Sequence, residues 1–182
     1  MWDTWVIADT HWCHTNIVSH CNRPEQHNDL MFENWEKNVK PTDEVLHLGD
    51  LVWWKPEIPG MSRNDIYRRI RALPGRKRLI KGNNDKKTRV FYERLGFEVI
   101  KPFTWERIHF SHRPVMEFVP EWNVNVHGHT HQHTIQVSPL TELMSQRYYL
   151  NASVEQLRYT PVTVRWLLWT SDLWRYDRVE LA

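Results

Sequence analysis

At 182 residues the chain can bury one sizeable core but not two comfortable ones, so residues 1–182 are expected to form a single domain. A hydrophobic share of 41% with 25% charged residues is that of a globular protein, and no apolar run nears the roughly 18 residues that would span a bilayer. The net charge of +2 is nearly neutral yet uneven, because Arg63 to Lys87 holds ten Lys/Arg against two Asp, a local +8 that leaves −6 elsewhere. That stretch reads either as a solvated helix face with its following strand or as a positive rim that draws a phosphate-bearing substrate.

In chain order, Trp5 to Ala8 is a short apolar run that reads as a buried strand ending at Asp9. Thr15 to Cys21 reads as a short helix closed by Asn22-Arg23-Pro24. From Asn28 to Lys40, Met31, Trp35 and Val39 recur at every fourth position, which predicts an amphipathic helix capped by Asn28 or Asp29 and stopped before Pro41. Glu44 to Leu48 is the second strand and enters Gly49-Asp50. A helix from about Asn64 to Leu73 puts Ile66, Ile70 and Leu73 on one face, and Pro74-Gly75 ends it. Arg78 to Lys81 is a third strand, and Lys86 to Leu95 reads as a helix with Gly96 as its stop.

Beyond Phe97 the helical period fades. Phe97 to Ile100, Trp105 to Phe110, Val124 to Val126, Tyr148 to Leu150 and Val162 to Trp166 read as strands, while Leu167 to Ala182 fits a strand pair or a final helix. Strand–helix alternation first and strands later suggests two packed sheets with helices outside. Of the eleven Trp, Trp5 and Trp35 fall in apolar patterns and read as core. Trp53-Trp54 lie in a loop-like stretch with Lys55, Pro56, Pro59 and Gly60, where they would pack the loop or flank a substrate base.

Cys13 and Cys21 are the only cysteines and form no disulfide framework, and the N-terminus has no charged region leading into an apolar one. The expected compartment is the reduced cytoplasm. Cys13, close to Asp9 and His11, reads as a free thiol rather than a soft metal ligand.

Five segments carry the chemistry: Asp9-Thr10-His11, Gly49-Asp50, Gly82-Asn83-Asn84-Asp85, Ser111-His112 and Gly128-His129-Thr130-His131. Each follows an apolar, strand-like run. Carboxylates, an amide and neutral imidazoles are the mixed donors that suit Mn, Fe, Ni or Zn. Seven such groups exceed one ion but suit two ions sharing a carboxylate, the clamp used for in-line attack on phosphorus. Taken singly each segment is weak evidence: Asp-x-His is common in surface loops, Gly-Asp in turns, and His112 could be a core histidine. His129 and His131, flanked by His127 and His133, are stronger. Their conjunction in one order decides the reading.

That order resembles the signature of the calcineurin-like metallophosphoesterases, over roughly residues 3 to 163. Lesser matches to a small bacterial and phage branch are His14-Thr15-Asn16-Ile17, Cys21-Asn22-Arg23-Pro24, His47-Leu48-Gly49-Asp50 and Leu150-Asn151-Ala152-Ser153-Val154. The resemblance implies an α/β fold, a four-layer αββα sandwich of two mixed sheets flanked by helices. It implies one metal held by Asp9, His11, Asp50 and His131 and a second held by Asp50, Asn83, His112 and His129, with Mn favoured and Ni, Fe, Co or Zn as alternatives. A hydroxide shared by the ions would attack phosphorus.

One position departs from the pattern. The family commonly reads Gly-Asn-His-Asp/Glu and assigns its His to leaving-group protonation, whereas this chain has Asn84. An amide can donate a hydrogen bond but cannot transfer a proton. Natural variation, a replacement acid such as His14 and an introduced substitution are the open explanations. Arg23, Arg113 and Asn84 are expected at substrate phosphate, and Asn151 either there or in a structural hydrogen bond. His47 reads as core or as support behind the ligands. The expected activity is a phosphodiesterase on a nucleotide-like substrate or nucleic-acid end. A phosphomonoesterase, a nuclease or a catalytically weakened phosphate-binding module are the alternatives.

Overall fold

The structure is a computed structural model that describes residues 1–53, 62–117, 120–133 and 148–171. Its larger sheet runs β4-β3-β2-β1-β9, where β1 is Trp5–Ile7, β2 Glu44–His47, β3 Arg76–Ile80, β4 Phe97–Ile100 and β9 Val162–Thr163. The first four are parallel and β9 is antiparallel to β1. The smaller sheet runs β5-β6-β7-β8: Phe103–Trp105, Ile108–Phe110, Val124–His127 and Tyr148–Asn151, with only β5 antiparallel. The helices are α1 (Ile17–Cys21), α2 (His27–Asn38), α3 (Arg63–Ala72), α4 (Arg89–Arg94) and α5 (Val164–Thr170).

Side-chain alternation along the strands builds two cores. Ile7, Val45, Leu79 and Phe97 meet Met31, Phe32 and Trp35 of α2, Ile66 and Ile70 of α3 and Tyr92 of α4. The opposite faces, Val6, Ala8, Leu46, Leu48 and Ile80, pack on Ile108, Phe110, Val124 and Val126 of the smaller sheet, joined by Val164, Leu167 and Leu168 of α5. Two mixed sheets flanked by helices are the expected αββα class.

Local expectations are corrected in three places. Trp105 to Phe110 is not one strand, because Glu106 turns at φ 52° and folds Phe103 back against Phe110. Val162 to Trp166 is strand for two residues only; the Thr163 hydroxyl then accepts the Trp166 N–H and starts α5. Helix α2 begins at His27, and Asn28 instead accepts the Cys13 N–H (2.9 Å). Of the ambiguous tail, 167–170 is helical, and residues 172–182 lie outside the described residues, as do Trp54, Lys55, Pro56, Pro59 and Gly60.

Candidate metal centre

Parallel strands of both sheets point their carboxyl ends to one place, where ligand-bearing loops converge. Asp9 and His11 follow β1, Asp50 follows β2, Asn83 follows β3, His112 follows β6, and His129 and His131 follow β7. Five of these seven have left-handed backbone: Asp9 (φ 56°), His11 (44°), Asp50 (55°), His129 (72°) and His131 (50°). Such conformations cost of order 1–3 kcal/mol each and persist only where the surroundings impose them. Here Asp9 N–H is held by Gly49 O (3.0 Å) and His11 N–H by Asp50 O (2.9 Å).

The loops could not meet with side chains at the motif glycines. A Cβ on Gly49, itself at φ 97°, would lie 2.6 Å from Gly82 N, and one on Gly82 would lie 2.2 Å from Asp50 Oδ1. Asp85 fastens the same junction. Its buried carboxylate accepts the N–H groups of Asp50 (2.8 Å), Leu51 (3.1 Å) and Gly82 (2.8 Å).

Asp9, His11 and His131 form one group whose ligand atoms lie within 4.8 Å of one another, and Asp9, Asp50 and His112 form a second. Asp9 divides its oxygens: Oδ2 meets the His129 N–H (2.8 Å) and the Ser153 hydroxyl (2.8 Å), while buried Oδ1 has no hydrogen bond among the described residues. Buried His11 Nε2 has none either. His112 Nδ1 donates to Leu48 O (2.7 Å), which turns its Nε2 towards Asn83 Oδ1 at 3.0 Å. The two orphaned buried atoms, Asp9 Oδ1 and His11 Nε2, are unfavourable until a cation joins them. The residues present therefore fit divalent metal.

His11 and His129 have the charge state that ligation needs, whereas His131 would have to lose a proton to ligate. Burial, helped by the Arg23 charge, holds His11 well below the usual imidazole range, and burial likewise lowers His129; a ligating imidazole must be neutral. Burial pushes the Asp9 carboxyl up to about 6, against the opposing charges of His112 and His131, as expected of a carboxylate lacking its cation. His131 rises to about 10. Burial lowers it, but hydrogen bonds to Cys21 and Glu155 and the Asp9 charge outweigh that.

Around the ligands lies a supporting layer. The Arg23 guanidinium is buried and donates to Asp9 O (2.6 Å), Thr10 O (2.8 Å) and Glu155 Oε1 (2.8 Å). Its expected place at substrate phosphate is thus corrected, because the donors are spent shaping the β1 loop. Glu155 also meets His131 Nδ1 (2.9 Å), the carboxylate–imidazole arrangement that orients a metal ligand. Asn151 takes the structural option, donating to Thr130 Oγ1 (2.8 Å) and His131 O (2.8 Å). His47 accepts the Gly49 N–H at Nδ1 (3.2 Å) and meets Thr10 Oγ1 through Nε2 (3.0 Å), and Thr10 donates to Leu51 O. Asp85, Ser153 and Glu155 were not singled out from sequence. Only their place inside or just after the motif segments could have marked them.

A cleft of about 520 Å³ opens onto these residues and is lined by His11, His14, Trp53, Asn84, His129 and His131. His14 stacks on Trp53 (centroids 3.7 Å apart, planes 13°), and burial pushes its imidazole down to about 4. The Asn84 side chain donates to Asp50 Oδ2 (2.7 Å) and its N–H to Oδ1 (2.7 Å). Arg113 is exposed beside His112, and its guanidinium makes no hydrogen bond among the described residues.

This geometry agrees with what the chain resembles elsewhere. The calcineurin-like phosphoesterase family model matches residues 3–177, and the chain belongs to that family. It is 30% identical over 168 residues to an uncharacterized protein of Methanocaldococcus jannaschii, spanning 88% of this chain and 86% of that one. The crystal structure of a protein of unknown function from Aquifex aeolicus superposes with a TM-score of 0.69 at 26% identity, covering 90% and 96%. The Pseudomonas putida nuclease MPE shares the fold at 16% identity and a TM-score of 0.52, covering 71% and 62%. The protein is a metal-dependent hydrolase of phosphoric esters. Among the described residues no helix is long and apolar enough to cross a membrane.

Proposed function

We propose that the protein is a phosphodiesterase acting on nucleotide-like esters with two divalent ions, Mn favoured. One ion is held by Asp9, His11, Asp50 and His131 and the other by Asp50, Asn83, His112 and His129. The observation that carries this reading is Asp50 Oδ2, which stands 3.4 Å from His11 Nε2 and 3.6 Å from His112 Nε2, an imidazole assigned to each ion. Bound there, the ions supply a nucleophile at neutral pH and neutralise charge on the phosphoryl oxygens.

The chain's own residues do the rest. Asn84 sets an amide donor at the cleft, which orients a phosphoryl oxygen but carries no transferable proton. His14 lines the same cleft, but burial pushes its imidazole down to about 4, so near neutral pH it carries no proton for the leaving oxygen; the Trp53 ring stacked on it offers a planar wall for a base or aryl group. Arg113 is the exposed guanidinium beside the ligands, since Arg23 is turned inward. Cys13 and Cys21 are free thiols, in keeping with a cytoplasmic enzyme whose residues 1–182 act as one domain.

The test compares aryl diesters, aryl monoesters, linear dinucleotides and single strands with Mn-loaded protein. Diesters should turn over fastest, and Asp50→Asn should abolish turnover while weakening both metal sites. Monoester preference, or substantial activity in Asp50→Asn, refutes the reading. The second reading, a phosphate-binding module, rests on Asn84 alone, and metal binding without hydrolysis across Mn, Ni, Co and Zn would favour it.

A further inference from the structure

A second groove, between α3 and α4, encloses about 570 Å³ and is lined by Tyr67, Arg68 and Arg71 from α3 and Phe91 and Arg94 from α4. Among the described residues no carboxylate lines it. Arg71 and Arg94 are exposed, and neither guanidinium has a hydrogen bond or ion pair among the described residues. The acids nearby in sequence are engaged: Asp65 pairs with Arg68, Glu93 with Arg89 (2.6 Å) and Glu98 with Arg76 (3.1 Å). Tyr67 and Phe91 meet edge to face in the groove, centroids 5.4 Å apart at 83°.

The topology connects this groove to the metal centre. Helix α3 follows the β2 loop that carries Asp50, and α4 follows the β3 loop that carries Asn83 and Asn84, so both begin at the sheet edge where the ligands gather. Exposed Lys86 and Lys87 lead from that edge towards α4, and exposed Arg63 opens α3. The basic stretch thus divides in two. Arg68, Arg69, Arg76, Lys77, Arg78 and Lys81 are engaged by other residues, whereas Arg63, Arg71, Lys86 and Lys87 face solvent.

We infer that the α3–α4 groove binds the phosphodiester backbone of single-stranded nucleic acid, with Arg71 and Arg94 on phosphates and the Tyr67–Phe91 pair offering a surface for an unstacked base. Arg63, Lys86 and Lys87 lie at the ligand edge and Arg71 and Arg94 at the C-terminal ends of α3 and α4, so open cations mark both ends of the helix pair, which matches a polyanion rather than a lone phosphate. Aromatic faces reward bases free of a duplex, which favours a single strand. The inference deepens the phosphodiesterase reading and rests on it for the substrate class.

The test uses metal-stripped protein in chelator, so that nothing is cleaved, with anisotropy of a fluorescent oligothymidylate of about 20 nucleotides from roughly 50 to 200 mM salt. Replacing both Arg71 and Arg94 with Ala should weaken binding at least about tenfold and lower the salt slope by roughly 1.4, two phosphate contacts' worth. A control, Lys37→Ala with Lys40→Ala, removes the same charge from exposed positions at α2 and its C-terminal end and should change little. Metal-loaded turnover of a small diester should be unaffected in both. Equal losses in the two double variants, an unchanged affinity in the groove variant, no binding by the parent protein or equal competition by polyglutamate would overturn the groove. A protein that cleaves no diester yet binds through Arg71 and Arg94 overturns the phosphodiesterase reading instead.

Discussion

Asn84 holds both oxygens of Asp50 at 2.7 Å, one through its N–H and one through its side chain. The backbone contact would survive any substitution there, so replacing Asn84 tests the side chain alone. In Asn84→His the new imidazole can transfer a proton, a contribution that typically reaches 10²- to 10⁴-fold where the leaving group needs it. If protonation limits this enzyme, kcat/KM should rise by at least about tenfold on alkyl diesters with poor leaving groups and stay nearly level on nitrophenyl diesters. An equal change on both, or none, would sink the missing-acid account. At this scale the convergence of Asp9, His11, Asp50, His112 and His131 was legible, because ligation demands particular atoms in a particular order. Arg23 was not legible as a support, because a guanidinium beside a motif looks the same from sequence whether it faces substrate or, as here, the carbonyls of Asp9 and Thr10.

At the scale of elements, legibility followed length and periodicity. Helices α2 and α3 lie within two residues of their expected bounds, since Met31, Trp35, Ile66 and Ile70 mark their buried faces. The β5–β6 turn and the β9–α5 junction were missed because each is decided by one residue's local geometry, Glu106 and Thr163, within runs that read as strand. Lys77 shows how an apparent surface charge can be structural. It sits in β3, is buried, and donates from Nζ to Arg71 O (3.0 Å) and to Leu73 O, closing the end of α3. Burial pushes its ammonium down to about 8, against an ordinary 10.5. The unfolded chain therefore keeps this proton longer than the folded one, and between pH 8 and 10.5 that difference makes stability rise with pH. Urea unfolding near pH 7.5 and 9.5 should show this gain for the parent protein and not for Lys77→Met. Identical pH slopes in the two proteins would remove Lys77 from the account.

At the scale of the molecule, the metal centre is also a joint. Asp9, His11, Asp50 and Asn83 come from loops of the larger sheet, whereas His112, His129 and His131 come from loops of the smaller one. Apolar packing already holds the sheets face to face through residues such as Leu46, Ile80, Phe110 and Val126. Ions bridging the two ligand sets would bind only the assembled pair, and whatever binds the folded state alone stabilises it by mass action. At free metal one hundred times its dissociation constant the gain is about 2.7 kcal/mol. For a chain of this size that raises the melting temperature by roughly 5–10 °C. The shift should appear when Mn is added to metal-stripped protein and reverse with chelator. It should shrink by more than half in Asp50→Asn, which alters the carboxylate proposed to be shared, and also in His112→Ala, which removes a proposed ligand carried by the smaller sheet. A full shift retained in His112→Ala would take His112 out of the ligand set and leave only His129 and His131 to tie the smaller sheet to the ions.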